Sequence, residues 1–198
     1  MLKRKIVEKL EFWFENRKQA LLVTGARQIG KSYSISHFIK DKFDNVIEID
    51  FSEMTNLIDT FALLDNSEDL LLRLSLVAGE KMVPYKTVIF LDEIQLIYKR
   101  RDELKENGKL PPTSQDIITA MKSLVKEGSY RFILSGSLLG VTIKDINLNP
   151  TGYLDEIKMY PLDFEEYLWA KGVGDLVIEH IKDCFDNKKT VDEEVNNM

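Results

Sequence analysis

Cysteine is nearly absent from this 198-residue chain: Cys184 stands alone, so no internal disulfide can form. Histidine is almost as scarce. With only His37 and His180 beside that one thiol, no zinc-ligand spacing exists, and a buried structural role is the expectation for Cys184. Positive charge is not in excess either. Lys and Arg number 27 against 33 Asp and Glu, a net charge of −6 and a pI near 5.1. Direct binding of nucleic acid is therefore disfavoured, conceivable only through a local patch such as Lys99 to Arg101. No apolar run approaches the eighteen or so residues of a membrane span, and the start Met1-Leu2-Lys3-Arg4-Lys5 is not a signal-peptide core. A cytoplasmic protein without membrane contact is the expectation. Internal repeats and low-complexity tracts are missing too, while 44% apolar and 30% charged residues suit a chain that folds around one ordinary core.

What is present is an alternation of strand-like and helical patterns. Residues 3–16 place Ile6, Val7, Leu10, Trp13 and Phe14 on one helical stripe. Apolar runs of β type follow at Ala20 to Thr24, Val46 to Ile49, Thr87 to Leu91 and Arg131 to Leu134. Helical patterns separate them: Ser32 to Lys42, a stripe of Leu70, Leu71, Leu74 and Val77, and a stripe from Ile117 to Val125 capped by Thr113 or Ser114. Such alternation predicts a parallel sheet covered by helices on both faces. Residues 99–112, polar and broken by Gly and Pro, read as a surface loop, and Asp175 to Phe185 reads as a last helix. The expected organisation is one domain over residues 1–185 and a polar tail over 186–198.

Between the first strand and the helix after it lies Gly25-Ala26-Arg27-Gln28-Ile29-Gly30-Lys31-Ser32, which fits G-x-x-x-x-G-K-[ST]. Residue frequencies produce that pattern by chance in about one chain in a hundred of this length. Successive backbone N–H groups can converge on a phosphate chain only where Cβ atoms do not obstruct the turn, and Gly25 and Gly30 supply that freedom. The helix dipole adds attraction, Lys31 is placed for the β- and γ-phosphates, and the Ser32 hydroxyl for Mg²⁺. The plain alternative is a glycine turn followed by an exposed lysine.

The run Thr87-Val88-Ile89-Phe90-Leu91 delivers Asp92-Glu93 to a strand end, where ligands of open α/β sheets sit. Asp92 is expected to face the magnesium and Glu93 to polarise the attacking water. Alternatively Asp92 caps the helix that begins at Ile94. The strand Phe132-Ile133-Leu134 ends in Ser135-Gly136-Ser137, where a hydroxyl can report on the γ-phosphate. Ser135 is favoured over Ser137, and a simple turn is the alternative.

Together GARQIGKS, VIFLDEIQ, FILSGSLLG and the stretch Met159 to Leu168 resemble the AAA-type predicted ATPases of bacteria and archaea, over nearly all of Lys3 to Lys171. The resemblance implies a three-layer α/β/α P-loop NTPase of additional-strand type, strand order 5-1-4-3-2, with GARQIGKS as Walker A and VIFLDE as Walker B. It also implies ATP with Mg²⁺. The absence of a guanine-reading Asn-Lys-x-Asp agrees. By the same resemblance, a homo-oligomer or a partner protein or domain is expected as the load of a motor or switch. Two departures stand out. Many members carry a basic residue where this chain has Gly152-Tyr153, and relatives continue into a C-terminal domain, so a truncated chain or a stand-alone core is expected here.

Single residues complete the reading. Arg27 lies in the loop, free to touch a phosphate or a partner. Arg100 and Arg101 are the paired arginines near the strand ends, with a solvated loop as their expected fate. Arg131 starts its strand and so lies at the wrong end of the sheet. Pro161, Leu162 and Phe164 are expected to pack the last helix. Besides a hydrolysing ATPase, two readings stay open: an ATP-binding switch with negligible turnover, and a small-molecule phosphotransferase with Asp50 at the acceptor.

Overall fold

A computed structural model of the chain describes residues 2–137 and 152–191. Helix α1 (Lys5–Asn16) turns Ile6, Leu10 and Trp13 inward, as its stripe predicts, and begins at Lys5 rather than at residue 3. It leads into β1 (Ala20–Gly25), every residue of which is buried. Then come α2 (Lys31–Lys42), β2 (Asn45–Asp50), the short α3 (Ile58–Ala62), α4 (Ser67–Ala78) and β3 (Thr87–Asp92). The second half holds α5 (Gln95–Glu106), α6 (Ile117–Glu127), β4 (Arg131–Ser137), β5 (Leu154–Lys158), α7 (Phe164–Ala170) and α8 (Asp175–Asp186).

The five strands form one parallel sheet in the order β2-β3-β4-β1-β5, which is the expected 5-1-4-3-2 read from the other edge. Alternation along the strands splits the core in two, because successive side chains leave a strand on opposite faces. Leu22, Ile89, Leu91, Phe132 and Leu134 point to the face covered by α3, α4, α5 and α6. Leu21, Val23, Val88, Phe90 and Ile133 point to the face covered by α1 and α2. Phe14 of α1 meets Phe38 and Phe43 edge-on, at 6.2 and 5.2 Å between ring centres. The result is the expected three-layer sandwich. Register brings the strand ends level: Gly25 pairs with Ser137, and Asp50 with Asp92.

Three expectations need correction. Residues 99–106 are not loop but the body of α5, whose Ile97 and Leu104 are buried two turns apart and hold an otherwise charged helix to the sheet. Helix α6 is capped by Asp116, which accepts from the Ile118 and Thr119 N–H groups, and not by Thr113 or Ser114. Pro161, Leu162 and Phe164 are exposed rather than packed. The remaining strand is Leu154–Lys158, an edge strand with only Leu154 and Ile157 as apolar residues. Cys184 is buried, its sulfur 3.6 Å from His180 Nε2. Residues 192–198 of the expected tail and Leu138-Leu139-Gly140 of the third motif lie outside the described residues. Among the described residues no helix is long and apolar enough to cross a membrane.

Candidate functional site

The loop between β1 and α2 combines two kinds of glycine. Gly30 caps α2 with φ 90°, a left-handed value that a Cβ makes costly. Gly25 is required for a different reason: an added Cβ there would lie 2.4 Å from the Met159 carbonyl oxygen and 2.8 Å from Ile29 Cδ1. Its role is close approach, since Met159 N–H donates to the Thr24 carbonyl at 2.8 Å and lays the chain after β5 directly beside the loop. Gln28 also takes a left-handed conformation, φ 62°. A non-glycine residue holds such a backbone only where its surroundings impose it.

Lys31, 4% exposed, turns its ammonium back into the loop, donating to the carbonyls of Ala26 (2.7 Å) and Gly25 (3.3 Å). Burial pulls its pKa below the ordinary lysine value, Arg27 pulls the same way, and the carboxylates of Glu93 and Asp92 oppose the shift. Lys31 is thus within electrostatic reach of both acidic residues. Ser32, partly buried, follows in the first turn of α2.

Asp92 ends β3 and is 3% exposed. Its Oδ1 accepts from the Glu93 N–H at 2.9 Å and from the Ser135 hydroxyl in a short hydrogen bond. Glu93 has φ 56°, so the backbone turns sharply at the residue expected to handle water. Its Oε2 accepts from Gln95 Nε2, while Gln95 Oε1 accepts from the Ser137 N–H at 3.2 Å. Gln95 is buried and joins the ends of β3 and β4. Helix α5 starts at Gln95 with Ile94 at the cap position, so Asp92 does not cap it.

The two serines differ. Ser135 is fully buried and occupied by Asp92, whereas Ser137 stands in register with Gly25 and its buried Oγ has no hydrogen-bond partner among the described residues. Beside the loop runs a groove of about 500 Å³ whose walls include Leu2, Tyr33, Pro161 and Leu162, with Ile29 and Gly30 at its edge.

The sequence profile of a family described as AAA domain matches residues 17–168, most of the chain. This chain belongs to that family. That assignment agrees with the P-loop architecture described above, a five-stranded parallel sheet with a glycine loop between β1 and α2. Among solved structures, it is similar to the Walker-type ATPase PABY2304 of Pyrococcus abyssi, at 17% identity and a TM-score of 0.47, covering 98% of this chain and 61% of that one. Similarity also extends to PCH-2 of C. elegans, at 15% identity and a TM-score of 0.42, covering 96% of this chain and 47% of that one. The AAA domain thus spans roughly half to three fifths of the length of these structures. No curated protein sequence matches it.

Within this AAA domain the fold brings together the loop Gly25 to Ser32, Asp92, Glu93 and the end of β4. The arginine pair lies elsewhere. Arg100 meets Asp59 (2.5 Å) and Glu103 (3.1 Å), and Arg101 donates to the carbonyls of Ala62 (2.5 Å), Gln115 (2.8 Å) and Ser114 (3.3 Å). Arg131 lies at the start of β4 and stacks over Trp13 at 4.2 Å. Asp50 is engaged locally, accepting from the N–H and hydroxyl of Ser52 at 2.7 and 2.6 Å. Two residues that sequence reasoning left without a role, Gln95 and Arg4, touch the site directly. Gln95 sits inside the DEIQ segment, which was its one visible signal.

Proposed function

We propose that residues 1–185 form one ATPase domain that binds Mg-ATP on the loop Gly25 to Ser32 and hydrolyses it to ADP and phosphate. The observation that carries this reading is convergence. A glycine loop opening a helix, a buried lysine and the Asp92-Glu93 pair meet at the carboxyl ends of the strands of a parallel sheet, with Lys31 feeling both carboxylates. The donor set of Ser32 and Asp92, all oxygen, suits Mg²⁺, which takes one or two protein ligands and completes its shell with phosphates and water. Bound there, the ion would neutralise charge on the β- and γ-phosphates.

The protein's own groups have separable duties in this reading. The backbone N–H groups of Ala26 to Ser32 and the N-terminus of α2 cradle the phosphates. Lys31 exchanges the Gly25 and Ala26 carbonyls for phosphate oxygens. Ser135 holds Asp92 by Oδ1, leaving Oδ2 for the metal. Glu93 accepts the proton of the water that attacks the γ-phosphorus as the bond to the bridging oxygen breaks. Sensing of the γ-phosphate, expected of Ser135, is better assigned to Ser137, whose hydroxyl has no partner among the described residues and stands at the strand end beside Gly25. The groove beside Tyr33 and Leu162 is the natural place for the base. Work done on a partner protein, a partner domain or a second copy completes the proposal.

The engagement of Glu93 by Gln95 favours one second reading, a switch that binds ATP and turns over negligibly until that contact opens. Thermal unfolding and phosphate release on one set of proteins separate the two. Mg-ATP at about a hundred times its Kd should stabilise the fold by roughly 2.7 kcal/mol. Lys31→Ala should abolish the shift, and Glu93→Gln should keep it while losing phosphate release. Binding without release by the wild type supports the switch. A folded sample that responds to no nucleotide refutes both.

A further inference from the structure

Arg4 sits just before α1, far in sequence from everything its guanidinium touches. Nε donates to Glu166 Oε1 at 3.1 Å, Nη1 to the Ile29 carbonyl at 2.8 Å and Nη2 to the Tyr160 carbonyl at 2.9 Å. The side chains of Arg4 and Glu166 are 9% and 6% exposed, so this is a buried ion pair. Glu166 is fixed in turn. Its Oε1 also accepts from the Lys5 N–H (2.8 Å), its Oε2 accepts from the Asp163 N–H (3.1 Å), and its own N–H donates to Asp163 Oδ1 (2.8 Å) in the capping box of α7. One planar cation therefore joins the phosphate loop, the segment after β5 and the first turn of α7.

We propose that Arg4 is a positioning residue of the phosphate loop, and that through it nucleotide binding and the seating of α7 are coupled. The coupling rests on the nucleotide reading above. A trans peptide is planar, with its carbonyl and N–H pointing in opposite directions. Holding the Ile29 oxygen on Arg4 therefore directs the Gly30 N–H to the other side of the loop, where phosphate is expected. The other end of the loop is held by the same segment, through Met159 N–H on Thr24 and the Met159 carbonyl against Gly25. A ligand that orders the Ile29–Gly30 peptide thus orders Arg4, Glu166 and the start of α7, and by linkage a displaced α7 weakens the ligand. Lysine cannot replace the arginine in this role, because it keeps the charge and loses the planar fork that reaches acceptors in different directions.

Hydrogen–deuterium exchange and calorimetric titration with Mg-ADP test the proposal on the full chain. The proteins are the wild type, Arg4→Met, Arg4→Lys and the double variant Arg4→Met/Glu166→Leu. The double variant leaves no unpaired buried charge, so it keeps the test available if Arg4→Met does not fold. Without nucleotide, loss of Arg4 should speed exchange at residues 29–32 and 164–170 together and leave β3 unchanged. With Mg-ADP, the wild type should gain protection in both segments. The double variant should gain it in the loop alone and bind about tenfold or more weakly, and Arg4→Lys should behave like it. Equal protection of α7 with and without Arg4, or an unchanged Kd, overturns the coupling. A wild type that binds no Mg-ADP removes the nucleotide reading and the coupling with it. The nucleotide-free comparison then still decides whether Arg4 braces the loop: joint loosening supports the brace, and no change refutes it.

Discussion

The two glycines of the loop Gly25 to Ser32 should fail in opposite ways when each is replaced by alanine. In Gly25→Ala the new methyl lies 2.4 Å from the Met159 carbonyl oxygen, about 1 Å inside ordinary contact, and the obstacle is backbone that cannot rotate away. Overpacking of that kind costs about 1–3 kcal/mol. Relief by lifting Met159 off β1 sacrifices its hydrogen bond to Thr24, a further 0.5–1.5 kcal/mol or so. The sum is about 1.5–4.5 kcal/mol, which for a chain of this size lowers Tm by roughly 3–18 °C. At Gly30 the nearest atom to an added Cβ is Arg4 Nη1 at 3.7 Å, so no clash arises. The cost is the left-handed backbone alone, about 1–2 kcal/mol, partly offset by a stiffer unfolded chain. Gly30→Ala should therefore melt within about 4 °C of wild type and lose its stabilisation by Mg-ATP. Differential scanning calorimetry with and without Mg-ATP measures both. A Gly25→Ala protein that melts with the wild type would show that Met159 does not rest on the loop as described, and would refute the reasoning.

Further outcomes follow from the same geometry. Ser135→Ala should cost about 1.5–3 kcal/mol, because it strips a hydrogen bond from a buried carboxylate; Ser137→Ala should leave the melt nearly unchanged and slow phosphate release, and the reverse pattern would return the sensing role to Ser135. Arg101→Met should destabilise by about 2–3 kcal/mol through the carbonyls of Ala62, Ser114 and Gln115, without altering the Kd for Mg-ADP; a weakened Kd would place Arg101 at the site after all. The carboxyls of Asp163, held down by the Glu166 N–H and Lys5, of Glu165 beside Lys182 and Lys5, and of Asp175 beside Lys3 and Trp169 all sit below their usual values in the folded state. Depressed folded-state values stabilise above the ordinary carboxylate range, near pH 4, and that stability is lost as pH falls through them. Trp169 fluorescence, under Lys3 and hydrogen-bonded to Asp175, should therefore change below about pH 4 before the far-UV signal of the sheet does; simultaneous loss would contradict it.

Legibility in the sequence followed locality. The loop Gly25 to Ser32 was readable because its atoms come from eight consecutive residues, and Asp92-Glu93 because the apolar run Val88 to Leu91 leads directly to it. Strand β5 escaped notice because an edge strand needs little apolar surface, and LDEIK offers two such residues. Residues 99–106 of α5 were mistaken for loop because their one buried apolar contact, Leu104, is diluted by KRRDE on the faces that meet water. The choice between Ser135 and Ser137 turns on register against β1, and the Arg4–Glu166 pair spans 162 positions. Neither leaves a local signature. Gly25 is instructive in a different way: the motif demanded glycine there, but the reason, a carbonyl from residue 159, could be seen only once the chain was folded.

The placement of β1 has a consequence for how the protein is made. Both of its neighbours come late: Leu21 pairs with Ile133 on one side and with Asp155 on the other. At a synthesis rate of about 5–20 residues per second, β1 waits roughly 6–22 s before its first partner is even polymerised. Throughout that interval β1, every residue of which is buried in the finished fold, has no sheet to join, and neither has the loop attached to it. A ribosome-bound chain stopped before residue 131 should accordingly be unable to hold a nucleotide and should lean on chaperones. Competence arrives only when the last third of the sequence emerges and closes over the first.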